Sequence, residues 1–253
     1  MGEYLIHMNE EGILTFTINR PEKRNAISYE VMNGLEVAME ESAHNNQVKA
    51  LVITGSGDSA FCSGGDLSQF HNLKTESESY GMLSRMGGIL TRLAFLPKPT
   101  IAFINGTAIG GGCEIATACD FRVAKRTARM GFVQGNLAIT TGWGGGTLLL
   151  ERLPASLALS LLMTARLETA EALYVSGFID EVVDDSVPLQ DIQLINMISS
   201  KSGGVLEAYK HQLLAKWDKE RIKDNILEEI KRCSVLWARD EHHEAVDKFF
   251  NKE

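Results

Sequence analysis

The chain has 253 residues, of which 44% are hydrophobic and 23% charged, and a formal net charge of −8. That is the composition of an ordinary globular enzyme, long enough for one large domain or two small ones. The net charge argues against nucleic acid or an anionic membrane as the main partner, though local basic patches could grip a phosphorylated ligand. No apolar run reaches membrane-spanning length, and the start shows no basic segment followed by a long apolar run, so neither a span nor a signal peptide is expected. Cys62, Cys113, Cys119 and Cys233 show no C-x-x-C spacing and sit mostly among apolar residues. They read as reduced core thiols, with neither disulfides nor a metal site, and a cytoplasmic location is expected.

In chain order, Tyr4 to His7 and Ile13 to Asn19 predict two strands joined as a hairpin. Arg20-Pro21 breaks the pattern, and Pro21 to Ala26 (PEKRNA) reads as a polar loop. Ser28 suits the N-cap of a helix running to about His44, with Val31, Leu35, Ala38 and Met39 as its apolar stripe. Ala50 to Thr54 predicts a buried strand. Glu76 to Phe95 predicts a helix whose Met82, Met86, Ile89, Leu90 and Leu93 form core or pocket wall. Leu96-Pro-Lys-Pro stops that helix and introduces a second buried strand, Thr100 to Ile104. Phe121 to Ala124 is a further short strand, Met130 to Asn136 is irregular, and Gly142-Trp-Gly-Gly-Gly is expected to start an apolar helix through Leu153. Helices follow at 157–164 and 169–176, then a turn and short strand within 177–183. Helical signal dominates from 189 to 250. Strands alternate with helices in the first two-thirds and helices alone fill the last, which predicts an α/β core followed by a helical region.

Two glycine segments each follow a buried strand: Ser63-Gly64-Gly65-Asp66-Leu67 after Leu51–Thr54, and Gly110-Gly111-Gly112 after Thr100–Ile104. Loops at strand ends are where open α/β sheets build their sites. The first N–H groups of a helix lack partners and can bind a developing anion. Glu114, three residues after Gly111, falls on the same helix face. Two such loops can aim two N–H groups at one oxygen, which is an oxyanion hole. Neither segment is a Walker phosphate loop, since no Gly-Lys-Ser/Thr follows. The spacing by itself equally fits tight helix–sheet packing, with Glu114 merely complementing the helix dipole.

Longer stretches carry a resemblance: NRPEKRNA (19–26), AFCSGGDL (60–67), KPTIAFINGTAIGGGCEIATACDFRVA (98–124), GWGGGTLLLERLP (142–154), AEAL (170–173) and GFIDEVV (177–183). Together they resemble the crotonase (enoyl-CoA hydratase/isomerase) superfamily along essentially the whole chain. The resemblance implies an α/β crotonase (ClpP-like) fold of repeated ββα units over residues 1–190, with a helical trimerisation region at 191–253. It also implies a homotrimer or hexamer (dimer of trimers), and an acyl-CoA thioester substrate from fatty acid metabolism. Coenzyme A is then part of the substrate and no separate cofactor is expected. Gly65 and Gly111 would supply the oxyanion-hole N–H groups, and Glu114 matches the first catalytic carboxylate of the hydratases. Gly64, Gly65, Asp66, Leu67 and Ser68 match the acyl-CoA contact loop, Lys23, Arg24 and Ala26 flank the nucleotide end, and Gly142 matches a glycine facing the catalytic water. Phe249 and Lys252 match a region that packs on the coenzyme A of a neighbouring subunit; a fraying tail is the other reading.

Hydratases of this superfamily carry a second glutamate twenty residues after the first, where this chain has Gln134. Two carboxylates share the proton transfers of hydration, and an amide exchanges no proton near neutral pH. Gln134 therefore either orients water or a substrate carboxylate, or simply lines the pocket. Loss of CO₂ from a malonyl-type thioester needs no base. The run FVQGNLAITTGWGGG (132–146) is similar to the ethylmalonyl-CoA decarboxylases of the superfamily, in which the second glutamate is also absent. A catalytically weak acyl-CoA-binding member is a third reading. Trp143 either shapes the acyl pocket or fills the core. Asp66 is expected to cap its loop, Arg126 and Arg129 to be surface charges, and His242-His243-Glu244 to be solvent-exposed.

Overall fold

The computed structural model describes residues 2–250, and the side chains of residues 2–248. The predicted hairpin is β1 (Tyr4–Met8) and β2 (Ile13–Ile18), paired antiparallel; Asn9 closes its turn by accepting from the N–H of Glu11 and Ile13. Two long strands follow, β3 (Ala50–Gly55) and, after the short β4 (Ala60–Cys62), β5 (Thr100–Ile104). All eleven residues of β3 and β5 are buried, as their unbroken apolar runs require. Next come β6 (Thr107–Ile109), β7 (Phe121–Lys125), β8 (Arg129–Gly131), β9 (Glu168–Thr169) and β10 (Glu181–Val183). One sheet runs β1-β2-β3-β5-β7-β10, parallel from β2 onward, and a second runs β4-β6-β8-β9.

The sequence predicted the strands of the first sheet and none of those of the second. Its strands have two or three residues each, too short to show a period of two, and the 130–136 stretch expected to be irregular contains β8 and a 3-10 turn, Val133–Leu137. With these strands in place the middle of the chain is a series of ββα units: a long strand in one sheet, a short strand in the other, then a helix.

The helices are α1 (Tyr29–His44), α2 (Leu67–Phe70), α3 (Glu76–Ala94), α4 (Gly111–Ala118), α5 (Gly145–Arg152), α6 (Ala155–Thr164), α7 (Ala170–Val175), α8 (Gln193–Ser199), α9 (Gly203–Lys216), α10 (Lys219–Trp237) and α11 (Asp240–Phe250). Ser28 caps α1 by accepting from the Val31 N–H at 3.1 Å, and Thr75 with Glu78 form a capping box at the start of α3. The helix expected from Gly142 begins only at Gly145, because the N–H groups of 142–144 turn toward side chains from elsewhere.

One face of the large sheet is covered by α1, α3, α4 and α5, the other by α8, whose Ile195 and Ile198 pack with Ile192 toward Ile13, Val52, Ile101 and Val123. The last helices fold back on the core of the same chain. On α10, Ile230 reaches the space beside Gly87 of α3, Ile226 that beside Gly144, and Cys233 that beside Gly142. On α9, the buried Lys210 ammonium donates to both oxygens of Asp120, at 2.5 and 2.6 Å, and Arg152 stands 3.7 Å from the same carboxylate. Removing one partner of a buried pair strands the other, so Lys210→Met is expected to cost about 3 kcal/mol in urea unfolding. Lys248→Met, which removes the exposed pair with Glu244, is expected to change stability by less than about 0.5 kcal/mol.

Candidate active site

The first glycine segment is held by the loop before α1. Arg24 and Asn25 adopt left-handed backbone angles, φ 50° and 55°, and the buried Asn25 amide donates to the carbonyls of Ser56 and Ala60. The loop then runs alongside the segment: Ser63 N–H donates to Arg24 O, Ile27 N–H to Gly64 O and Asp66 N–H to Ile27 O. That alternation uses the groups on either side of Gly65 and leaves its own N–H directed the other way. The buried Arg20 clamps the arrangement, donating to Asp66 Oδ2 at 2.6 Å and to Ala26 O at 2.8 Å. Asp66 Oδ1 accepts from the N–H and hydroxyl of Ser68, so Asp66 caps α2 as expected. Burial opposes the Asp66 charge, but the Ser68 and Arg20 hydrogen bonds outweigh it and hold the carboxyl below its ordinary value.

The second segment ends β6 and opens α4. Gly111 is the first residue of that helix, so its N–H has no intrahelical acceptor. Gly64 adjoins it: a Cβ on Gly64 would lie 3.3 Å from Gly111 N. The Trp143 indole packs directly on Gly111, where a Cβ would sit 2.1 Å from Cζ3, and reaches the space beside Gly65 as well. Trp143 is buried, and its ring borders both glycine segments.

Glu114, 2% exposed, points its carboxylate into the turn before α5. Oε2 accepts from the N–H of Trp143 and of Gly145, both at 2.9 Å; Oε1 accepts from Gln134 Nε2 at 2.9 Å and, at 3.5 Å, from the Gly142 N–H. Gln134 Oε1 is buried without a hydrogen-bond partner, and its amide lies beside Gly110 at the head of the second segment. A carboxylate the sequence reading missed takes the neighbouring donors: Glu229, on α10, accepts from the N–H of Gly144, Gly146 and Thr147 and from the Thr147 hydroxyl. Burial, reinforced by the Glu229 charge, pushes the Glu114 pKa up to about 8, against the pull of the Gly145, Trp143 and Gly142 N–H groups.

The remaining predicted residues lie around this centre. Lys23, Arg24 and Ser68 are exposed, Leu67 is half-buried, and Ala26 is buried. Arg24 and Ser63 line a cavity of about 280 Å³ with Ser59, Ala60, Thr107 and Ile109. The Phe249 side chain and Lys252 lie outside the described residues. Arg126 is exposed and paired with Glu171 and Asp184, and Arg129 is exposed. The expected exposure of the 242–244 run fails at His242, which is 3% exposed: its ring lies against Trp237, 4.7 Å between centroids, with Nδ1 2.7 Å from Leu137 O. Tilted contact with the Trp237 ring at the end of α10 draws it inward.

The enoyl-CoA hydratase/isomerase family model matches residues 8–253. The chain belongs to the enoyl-CoA hydratase/isomerase family. It is similar to a crotonyl-CoA hydratase of Syntrophomonas wolfei, 31% identical over 93% of this chain and 87% of that one. It is likewise similar to a 2,3-dehydroadipyl-CoA hydratase of Escherichia coli, 30% identical over 98% and 96%. Among solved structures, carnitinyl-CoA hydratase from Mycobacterium avium has a TM-score of 0.87 at 28% identity, covering all of this chain and 97% of that one. Within this family fold, the chain joins two glycine segments, a buried glutamate and a buried glutamine in one place.

A carboxyl whose pKa is higher folded than unfolded binds more protons in the folded state, so stability falls as pH rises between the two values. For Glu114 that window runs from its ordinary 4.5 to about 8. Urea midpoints of the wild type are expected to decline across it, and Glu114→Gln, whatever its absolute stability, to show a flatter profile.

Proposed function

We propose that the protein processes an acyl-CoA thioester by forming or quenching its enolate, with the thioester oxygen received by the N–H groups of Gly65 and Gly111. The observation that carries this reading is the placement of Glu114: a desolvated carboxyl, close to neutral in proton affinity, one helical turn from Gly111 on α4. An acid poised near the working pH is suited to exchange a proton with carbon. Trp143 keeps the neighbourhood of both glycines dry, which strengthens an N–H to oxyanion interaction. The cavity beside Arg24 and Ser63 offers a route for the coenzyme A portion, with Lys23 and Arg24 toward its phosphates. The Met82–Leu93 face of α3 lines the interior near Gly142 through Leu83.

The relatives are named as hydratases, which supports water addition to a 2-enoyl-CoA as the first reaction. Decarboxylation is the second reading, and Gln134 favours it. Glu114 already accepts from Gln134 Nε2 and from the N–H groups of 142, 143 and 145, and Gln134 brings no second acid to activate water. In decarboxylation the bond from Cα to the carboxylate breaks, CO₂ leaves, the electron pair enters the enolate, and protonated Glu114 delivers its proton to Cα. Gln134 Oε1, lacking a partner, is the group left to orient water; rotated by half a turn, the amide would present Nε2 to a substrate carboxylate. Assembly as a trimer or dimer of trimers through the 191–253 helical region, in the cytoplasm, belongs to the same proposal. Sedimentation reads the assembly as three or six times the 27.8 kDa chain mass.

Enolate chemistry is tested apart from the net reaction by incubating the protein with butyryl-CoA in deuterated water. Deuterium is expected at Cα, and Glu114→Gln is expected to slow its entry by about 10²–10⁴-fold; no incorporation by the wild type would overturn the reading. Crotonyl-CoA and ethylmalonyl-CoA, each followed by mass, then separate the reactions: a gain of water supports hydration, a loss of CO₂ supports decarboxylation. Heat stabilisation by acyl-CoA without either change would point to a binding protein.

A further inference from the structure

The turn 142–147 presents six consecutive backbone N–H groups, and two carboxylates divide them. Glu114 takes those of 142, 143 and 145; Glu229 takes those of 144, 146 and 147. The division is interleaved, so neither set can be satisfied without fixing the backbone for the other. The turn is also fitted to receive both side chains. A Cβ on Gly145 would lie 2.4 Å from Glu114 Cγ, and one on Gly146 would lie 2.6 Å from Thr141 Oγ1 and 3.4 Å from Glu229 Oε2. Glu229 is held in place by its helix, where Ile226 packs on Gly144, Ile230 on Gly87, and Cys233 on Gly142. It is half-buried and, three residues after Ile226 and four before Cys233, lies on the face of α10 that packs inward, whereas Leu227 and Glu228 are exposed.

We propose that Glu229 is a positioning residue for Glu114: by holding the N–H groups of 144, 146 and 147 it makes those of 142, 143 and 145 converge on the Glu114 carboxyl. The inference rests on the reading of Glu114 as the proton-transfer group. The groups that face Glu114 leave Glu229 as the source of charge. Its own helix contributes Cys113 and α10 contributes Cys233, thiols whose proton affinities burial drives far upward, so both are neutral. The turn before α5 and the 133–137 segment contribute neutral donors, the backbone N–H groups and Gln134. Burial of Glu114 and the Glu229 charge both raise its proton affinity, and only the second can be removed by a substitution on α10.

The test needs no substrate. Protein carrying ¹³C-labelled glutamate side chains is titrated by NMR, with the Glu114 carboxyl assigned by its absence in Glu114→Gln. In Glu229→Gln the Glu114 midpoint is expected to fall by about one pH unit. In Glu229→Asp, which keeps the charge and shortens the reach, the fall is expected to be smaller. The pH profile of deuterium entry into butyryl-CoA is expected to move the same way, with kcat lowered on the order of 10–100-fold and KM unchanged, since Glu229 touches no substrate. A midpoint in Glu229→Gln equal to that of the wild type overturns the proposal even if the variant melts earlier, because a purely structural carboxylate would cost stability without moving a titration. Should Glu229→Gln fail to fold, Glu229→Ala, which also removes the charge, is titrated in its place: an unshifted midpoint decides against the proposal and a lowered one supports it. Titration and turnover also separate the two readings: a shifted midpoint with no exchange by the wild type removes the enolate function and leaves the coupling between the carboxyls.

Discussion

A buried carboxylate survives only where donors replace the water it has lost. In this protein that requirement governs the centre of the molecule. Glu114 lies on a fully buried helix between the sheet and the turn before α5, and the donors available to it are backbone N–H groups and one amide. The run Gly-Trp-Gly-Gly-Gly-Thr is the sequence form of that demand, since a carboxylate can approach consecutive N–H groups only where side chains leave room. The same demand reaches across the chain, because the N–H groups that Glu114 leaves over would be orphaned without Glu229. Packing of α10 on α3 and α5 is thus tied to Glu114 of α4 through hydrogen bonds as well as through apolar contact.

The opposite wall is held in a different way. There a buried arginine and an asparagine set the backbone: Arg20 through Asp66 and Ala26, Asn25 through Ser56 and Ala60. These side chains fix the 20–27 loop against residues 63–66 and so fix the direction of the Gly65 N–H. The two walls meet at Trp143. Its backbone N–H serves Glu114 while its ring rests on Gly111 and reaches Gly65, so one residue links the buried carboxylate to both glycine segments.

Much of this was legible in the residues. Unbroken apolar runs marked β3 and β5, Ser28 marked the start of α1, and the two glycine segments following strands marked the site. What escaped has physical causes. Strands of three residues such as β6 and β8 show no period, so the second sheet was invisible until its partners were in place. Asn25 reads as one more polar residue in PEKRNA, yet it is fully buried and serves carbonyls far along the chain. Glu229 falls on the apolar face of α10, three residues after Ile226 and four before Cys233, but the sequence alone does not show the backbone donors that a carboxylate there would meet. His242 sits in a run that looks solvent-facing and is drawn in by Trp237. For Asn25 and Glu229 the deciding partners are remote in sequence, and His242 also meets the distant Leu137 carbonyl, so local pattern carries no record of them.

The order of the residues along the chain has a consequence for biosynthesis. Gly144 and the glutamate that accepts from it are 85 residues apart, and that glutamate emerges from the ribosome last. At about 5–20 residues per second, the turn before α5 waits roughly 4–17 s for its second carboxylate. Through that interval both glycine segments and Glu114 are already outside the ribosome, but the backbone that aims Glu114 is only half tied down. A nascent chain therefore carries both glycine segments and Glu114 before it carries the second carboxylate, and the hydrogen bonding of the turn before α5 is completed only with α10.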